Sequence, residues 1–338
     1  MSRIAILGGG SWGTALAIVL SRARRKHDIS LWVHDSALAE SIQRDRENRT
    51  YLPGHRLARE IQVTSDIRNA VADAQIVVGA IPTAHARGVY TAAAEHVAPG
   101  TAFVSASKGL EPKTHQRMSE VIGTVIARKH DPRVAVLSGP SFAAEAAKSE
   151  PTAVLLASHD DYLASELQQE FAAPYFRLYI SNDVLGVELA GAMKNVIAIA
   201  AGLCHGLGLG SNPLAALITR GLAEMSRLAT ALGARPETMT GLAGLGDLVA
   251  TCSSPLSRNR TFGEMLGRGM AVADVTAVST QVAEGAKSAG PILELARSHA
   301  VEMPITEVVV GVMHGRITVD ESAMLLTSRS AKPERYGV

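Results

Sequence analysis

The sequence predicts an α/β N-terminal domain with a mostly parallel sheet, followed by an all-α C-terminal domain. Three observations predict this. A short apolar run, Arg3–Leu7, is followed at once by a glycine-dense turn and then by an apolar stretch of helical character, Thr14–Leu20. Further short β-rich runs, bounded by Gly, Pro, Ser or Asp, alternate with helical segments through the first half of the chain. After about Asp183 the strand signals stop and long Ala/Leu/Met-rich stretches take over.

The elements follow in order. Arg3–Leu7 reads as the first strand and Ile29–Val33 as the second. Gln75–Ala80, Ala102–Ser105 and Val134–Leu137 are the next strands, and Thr152–Ala157 and Phe176–Ile180 extend the sheet. The helical half contains Val184–Leu203, Asn212–Leu232, Ala283–His299 and Asp320–Leu326. A domain usually takes roughly 100–200 residues. The 338 residues therefore divide into two domains, 1–185 and a helical 186–338.

Composition removes several function classes. Lys plus Arg is 33 and Asp plus Glu is 32, so the net charge is +1 and nothing pulls the chain toward nucleic acid or an acidic membrane. Aromatic residues make up 4%, which argues against a base-stacking platform. Cys204 and Cys252 lie in no C-x-x-C pattern, and no two histidines stand at i, i+4, so neither a disulfide framework nor a metal site is expected. Both cysteines read as small buried hydrophobes. A signal peptide and an integral membrane segment are likewise not expected, and a soluble cytoplasmic protein is.

Residues 8–13, G-G-G-S-W-G, fit G-x-G-x-x-G with Gly8, Gly10 and Gly13. The pattern alone is weak, but here it closes a strand and opens a helix, the context a Rossmann-like phosphate cradle requires. Gly8 permits the tight turn, Gly10 lets a pyrophosphate approach the backbone, and Gly13 lets helix and strand pack closely. The helix N-terminus supplies free N–H groups and the positive dipole end. The expected cofactor is NAD(P)H, with the choice between NADH and NADPH left open and a leaning toward NADPH. Asp35 lies slightly beyond the place expected for a ribose-binding acid, while Arg44, Arg46 and Arg49 stand downstream, where a 2′-phosphate or solvent would meet them.

Lys194 is the anomaly of the helical half, a cation within an apolar helix. At helical spacing its neighbours are Ala190, Gly191, Ile197 and Ala198, then Ala201 and Gly202. So many small residues leave room for another helix or for a ligand. In a dry site the lysine serves as general acid or base; alternatively its stem lies along apolar surface and its ammonium reaches water. Asn195 beside it both donates and accepts hydrogen bonds. Elsewhere, Lys108 in S-K-G and Gly139 with Ser141 in S-G-P-S-F follow strands, at the sheet end where ligands bind. G-L-A-G-L-G-D presents Asp247, and S-R-N-R, from Ser257 to Arg260, is a donor cluster suited to phosphate.

Taken together these segments resemble a known family. G-G-G-S-W-G-T-A-L, S-K-G-L-E, S-G-P-S-F-A-A-E, G-A-M-K-N-V-I-A-I-A-A-G, I-T-R-G-L-A-E-M-S-R-L, G-L-G-D-L-V-A-T-C, S-R-N-R, V-A-E-G and E-M-P-I-T-E occur in the order found in bacterial NAD(P)-dependent glycerol-3-phosphate dehydrogenases. The resemblance implies reduction of dihydroxyacetone phosphate to sn-glycerol 3-phosphate, which feeds glycerophospholipid synthesis. It implies Lys194 as the catalytic acid/base. It implies that Lys108, Gly139, Ser141, Lys194, Asp247, Ser257, Arg258 and Asn259 bind the substrate. Cofactor contacts are implied for Gly8, Gly10, Ser11, Trp12, Gly13, His34, Lys108, Ala143, Arg258, Val282 and Glu284. A homodimer is expected, to which the small-residue helices point weakly. Two departures stand out: Ser141, where relatives often carry threonine, and Ser21–His27, more basic than in relatives, which bears on the 2′-phosphate. The alternative is a β-hydroxyacid dehydrogenase, whose related plan also carries a Lys–Asn pair.

Overall fold

The computed structural model describes residues 1–278 and 283–327. It separates into two compact units, Met1–Glu111 with Gln116–Val184, and Pro112–His115 with the chain from Leu185 on.

The first unit alternates strands and helices: β1 (Ser2–Leu7), α1 (Ser11–Ser21), β2 (His27–Trp32), α2 (Ser36–Asp45), β3 (Gln62–Thr64), α3 (Ile67–Val71), β4 (Ile76–Gly79), α4 (Thr83–Ala94), β5 (Ala102–Ser105), α5 (Met118–Ile126), β6 (Arg133–Ser138), α6 (Ala143–Ala147), β7 (Thr152–Ala157), α7 (Asp161–Phe171) and β8 (Phe176–Ser181). They form one eight-stranded sheet of order β3-β2-β1-β4-β5-β6-β7-β8. Every pairing is parallel except β6 with β7. In the antiparallel step Val136, Leu137 and Ser138 of β6 pair with Ala157, Leu156 and Leu155 of β7.

Central strands are apolar without alternation because both faces are covered. In β1, Ile4 and Ile6 join one core with α1, while Ala5 and Leu7 join the other with α4 and α5. The edge strand β8 alternates instead: Phe176 and Leu178 are buried, Arg177 and Tyr179 exposed. Several helices start where a side chain satisfies an orphan N–H. Asp35 caps α2 through Leu38 N–H at 2.7 Å, Asp66 caps α3 through Arg68 N–H at 2.8 Å, and Asp160 caps α7.

The second unit is helical: α8 (Val184–Gly206), α9 (Ser211–Ala231), α10 (Pro236–Thr240), a π-turn (Leu242–Gly246) running into α11 (Asp247–Ser253), α12 (Arg258–Gly267), α13 (Val272–Val278), α14 (Glu284–Ser298), α15 (Pro304–Met313) and α16 (Val319–Thr327). By length and composition α8 is apolar enough to cross a membrane, but 94% of its apolar window is buried. It is the core helix of this unit. The glycines in the C-terminal half of α8 answer to another helix. A Cβ on Gly202 would stand 2.0 Å from the Arg260 carbonyl oxygen, and one on Gly263 would stand 2.0 Å from that of Ile199. Gly206 and Gly267 face each other in the same way. The backbones of α8 and α12 therefore touch.

Candidate active site

In the first unit the glycine turn lies between β1 and α1. It sits where the strand order reverses, β1 being flanked by β2 on one side and β4 on the other. Ligands of open α/β sheets bind at such a switch point. Gly8 has φ +121°, and a Cβ there would stand 2.4 Å from the Ala80 carbonyl oxygen. A Cβ on Gly13 would stand 1.9 Å from the Gly8 carbonyl oxygen. A Cβ on Gly10, in contrast, would point into open space. The turn is therefore closed on the protein side and open on the other, a shape that fits a pyrophosphate. Gly10 is the N-cap of α1, whose first turn carries no acidic residue. The Ser11 hydroxyl donates to the Tyr51 carbonyl at 2.6 Å. Trp12 packs on the core beside the turn.

His34 is exposed just past β2, its ring 5.8 Å from that of Trp32. Asp35 is occupied as the cap of α2. Of the downstream arginines, Arg44 pairs with Asp45, Arg49 lies near Asp45 and Glu47, and Arg46 donates to the carbonyls of Ala58 and Ile61. None of the three is held ready for a 2′-phosphate. The basic segment Ser21–His27 joins the end of α1 to the start of β2, at the amino end of the sheet and away from the turn. Arg22 there bonds the Ala147 carbonyl and Arg25 pairs with Glu170.

The loops after β5 and β6 meet. Lys108 donates to the Gly139 carbonyl at 2.9 Å, and so does the Ser141 hydroxyl. Gly139 has φ +123°, and a Cβ there would stand 3.2 Å from Val154 Cα, so a side chain would be strained. Ala143 opens α6 and packs on the core.

In the second unit Lys194 is 5% exposed and Asp247 2% exposed. The Lys194 ammonium donates to Asp247 Oδ1 at 2.8 Å and to Thr251 Oγ1 at 2.6 Å. The Thr251 hydroxyl donates in turn to the Asp247 carbonyl at 2.6 Å. On α11 the Asp247 carboxylate thus gives the buried ammonium its countercharge, and the Thr251 hydroxyl one helical turn on gives it a second acceptor. The lysine does not reach out to water along an apolar stem. Next to it, Asn195 Oδ1 accepts from Asn259 Nδ2 at 2.9 Å, and Asn259 Oδ1 accepts from Gly285 N–H at 2.9 Å. Buried Ser257 caps α12 through Arg260 N–H at 3.2 Å. S-R-N-R is therefore a helix start, with its positive dipole end beside Arg258. The Arg258 side chain is solvent-accessible, yet crowding by protein lowers its pKa from the usual arginine value while nearby Glu284 opposes that shift. Arg260 pairs with Glu264 at 3.4 Å, so the donor cluster contains one arginine fewer than its sequence suggests. Val282 lies outside the described residues.

Burial pushes the Cys252 thiol up to about 12, Lys194 nearby acting the other way and Asp247 adding to the rise. It is a buried thiol and not a nucleophile. Thr251 was legible in the sequence only as the residue one turn after Asp247, and Asn48, which bonds the glycine turn, carried no local signal.

The two halves of this arrangement correspond to two known halves. Residues 3–164 match the N-terminal part of NAD-dependent glycerol-3-phosphate dehydrogenase, and residues 183–324 match its C-terminal part. The chain belongs to that family. It is 52% identical over 338 residues to the glycerol-3-phosphate dehydrogenase [NAD(P)+] of Thermobifida fusca, covering 100% of both chains. It is 47% identical over 335 residues to that of Koribacter versatilis, covering 99% of both. Among solved structures it resembles the glycerol-3-phosphate dehydrogenase of Coxiella burnetii, with 38% identity, a TM-score of 0.92, and 97% of this chain and 99% of that one covered. The hydroxyacid dehydrogenase reading is not favoured.

Proposed function

We propose that the chain reduces dihydroxyacetone phosphate with NAD(P)H to sn-glycerol 3-phosphate and NAD(P)+, reversibly, taking up one proton. The observation that carries this is the buried Lys194–Asp247 pair beside a helix start bearing Arg258. The bound nicotinamide supplies the hydride. The Lys194 ammonium gives its proton to the C2 carbonyl oxygen, and in reverse the amine takes the C2 hydroxyl proton. Asp247 and Thr251 hold the ammonium in place and balance its charge. Arg258 and the N-terminus of α12, shaped by Ser257 and Asn259, take the phosphate.

The cofactor roles of Gly8, Gly10, Ser11, Trp12, Gly13, His34, Lys108, Ala143, Arg258, Val282 and Glu284, and the substrate roles of Lys108, Gly139 and Ser141, belong to the same proposal. So does the division of labour, with residues 1–185 holding the dinucleotide and 186–338 the acid. The product's remaining hydroxyls suit acyl transfer, which places the enzyme ahead of glycerophospholipid synthesis in the cytoplasm. A homodimer is the proposed assembly. Gly202 and Gly206 of α8 are taken up by α12, and the support for the dimer is the exposed Leu245 and Val249, one turn apart. Light scattering at twice the chain mass tests it. The activity is tested by NADPH absorbance with dihydroxyacetone phosphate and, in parallel, 3-hydroxyisobutyrate. Oxidation with the first substrate alone is expected, and oxidation with the second alone refutes the proposal.

A further inference from the structure

The segment between α2 and β3 has no helix or strand of its own, yet its Asn48 is 0% exposed. The Asn48 amide donates to the Gly9 carbonyl at 2.8 Å and to Thr14 Oγ1 at 2.9 Å. Its Oδ1 accepts from Tyr51 N–H at 3.1 Å. The Ser11 hydroxyl donates back to the Tyr51 carbonyl, and the Asn48 carbonyl accepts from Leu52 N–H at 2.8 Å. One amide side chain thus ties the glycine turn, the first turn of α1 and the 48–52 segment together.

We infer that Asn48 is the positioning residue of the dinucleotide turn. The argument rests on the reading of Gly8–Gly13 as the cofactor cradle. A trans peptide points its carbonyl and the following N–H in opposite directions. The bond that draws the Gly9 carbonyl toward Asn48 therefore turns the Gly10 N–H the other way. Gly10 is the glycine above which space is open. Without the bond this peptide, flanked by two glycines, rotates freely. Its carbonyl can then face the phosphates and repel them. The geometry requires two donors on one side of the group and an acceptor on the other, which asparagine supplies and aspartate does not. An aspartate oxygen in place of Nδ2 would stand 2.8 Å from the Gly9 oxygen. Asn48 touches no reacting atom in this scheme and acts on dinucleotide affinity alone.

The test compares the wild-type chain with Asn48→Ala, Asn48→Asp and Thr14→Val. NADPH affinity is read without substrate from nicotinamide fluorescence, then kcat and both KM values are measured. Asn48→Ala is expected to raise the NADPH Kd about 10–100-fold, and Asn48→Asp to raise it further, with kcat at saturating NADPH and the KM for dihydroxyacetone phosphate within about twofold. A lowered melting temperature with an unchanged NADPH Kd overturns the inference, because the residue would then be merely structural. If neither Asn48 variant is folded by circular dichroism, Thr14→Val decides. It removes one acceptor of the amide, and an NADPH Kd raised about threefold or more is expected, whereas an unchanged Kd overturns the inference. Failure of the wild-type chain to bind NADPH would overturn the cradle reading itself, and is distinct from wild-type binding that the variants leave unaltered.

Discussion

Replacing Lys194 by methionine removes the proposed proton donor and also leaves Asp247 buried without its countercharge. The two losses have different sizes and separate signatures. Removing a general acid lowers turnover by about 10²–10⁴-fold. Removing one partner of a buried pair destabilises by about 3–5 kcal/mol. Both figures apply here because Asp247 is 2% exposed and its oxygen lies 2.8 Å from the ammonium, so water is poorly placed to replace the partner. A second substitution, Asp247→Leu, separates the two effects. Leucine has the outline of aspartate, and the Thr251 hydroxyl keeps its bond to the residue-247 carbonyl. The double variant Lys194→Met/Asp247→Leu is expected to regain most of the lost stability, since an apolar pair of similar volume replaces a buried ion pair at little or no net cost. Its turnover stays at the level of the single variant. Urea unfolding gives the stability and NADPH oxidation with dihydroxyacetone phosphate gives the rate. Near wild-type turnover in Lys194→Met would refute the role of the lysine. A single variant as stable as wild type would refute the account of the pair.

Arg258→Ala is expected to raise the KM for dihydroxyacetone phosphate by about 10–100-fold, the worth of a charged hydrogen bond, and steady-state kinetics with an unaltered KM would place the phosphate elsewhere. Gly263→Ala puts a Cβ 2.0 Å from the Ile199 carbonyl oxygen, so α8 and α12 must separate; the melting temperature is expected to fall by several degrees, and an unchanged value would show that the contact yields without cost. Glu224, on α9, accepts the N–H groups of Ile305 and Thr306 at 2.6 and 3.3 Å, and burial pushes its carboxyl up from 4.5 to about 7, against those N–H groups, Arg227 and the Thr306 hydroxyl. A raised folded pKa means that the folded state holds the extra proton, so this contribution is full below about pH 4.5 and is lost as pH rises through about 7, about 3 kcal/mol in all. Glu224→Gln removes the titration, and its unfolding free energy, followed from pH 4.5 to 8, should lack that decline; a variant that tracks the wild type across the range would refute the assignment.

Much of this protein was legible in its sequence because the signals are local. The glycine turn is specified by three residues within six positions, and each meets a constraint of its own neighbourhood: the tight bend at Gly8, the open side at Gly10 and the close contact at Gly13. The strands of the inner sheet announce themselves as unbroken apolar runs because both faces are buried. Lys194 announced itself by interrupting an apolar helix. Two elements were obscure for the same kind of reason. β3 has only three residues and no apolar run, and the direction of β7 is set by its pairing with distant strands, which composition does not record.

By itself, then, the amino-acid sequence determined the layered first unit, the helical second unit, the glycine turn and a lysine that needed explaining, since propensity and periodicity act between residues a few positions apart. Tertiary structure alone decided who explains that lysine. Asp247 and Thr251 lie 53 and 57 residues away, and their register with Lys194 follows from how α8 and α11 pack. It also decided that Asn48 reaches the glycine turn 39 residues before it, and that the glycines of α8 serve α12. Contacts over such separations leave no local pattern, because they form only once burial has brought the elements together.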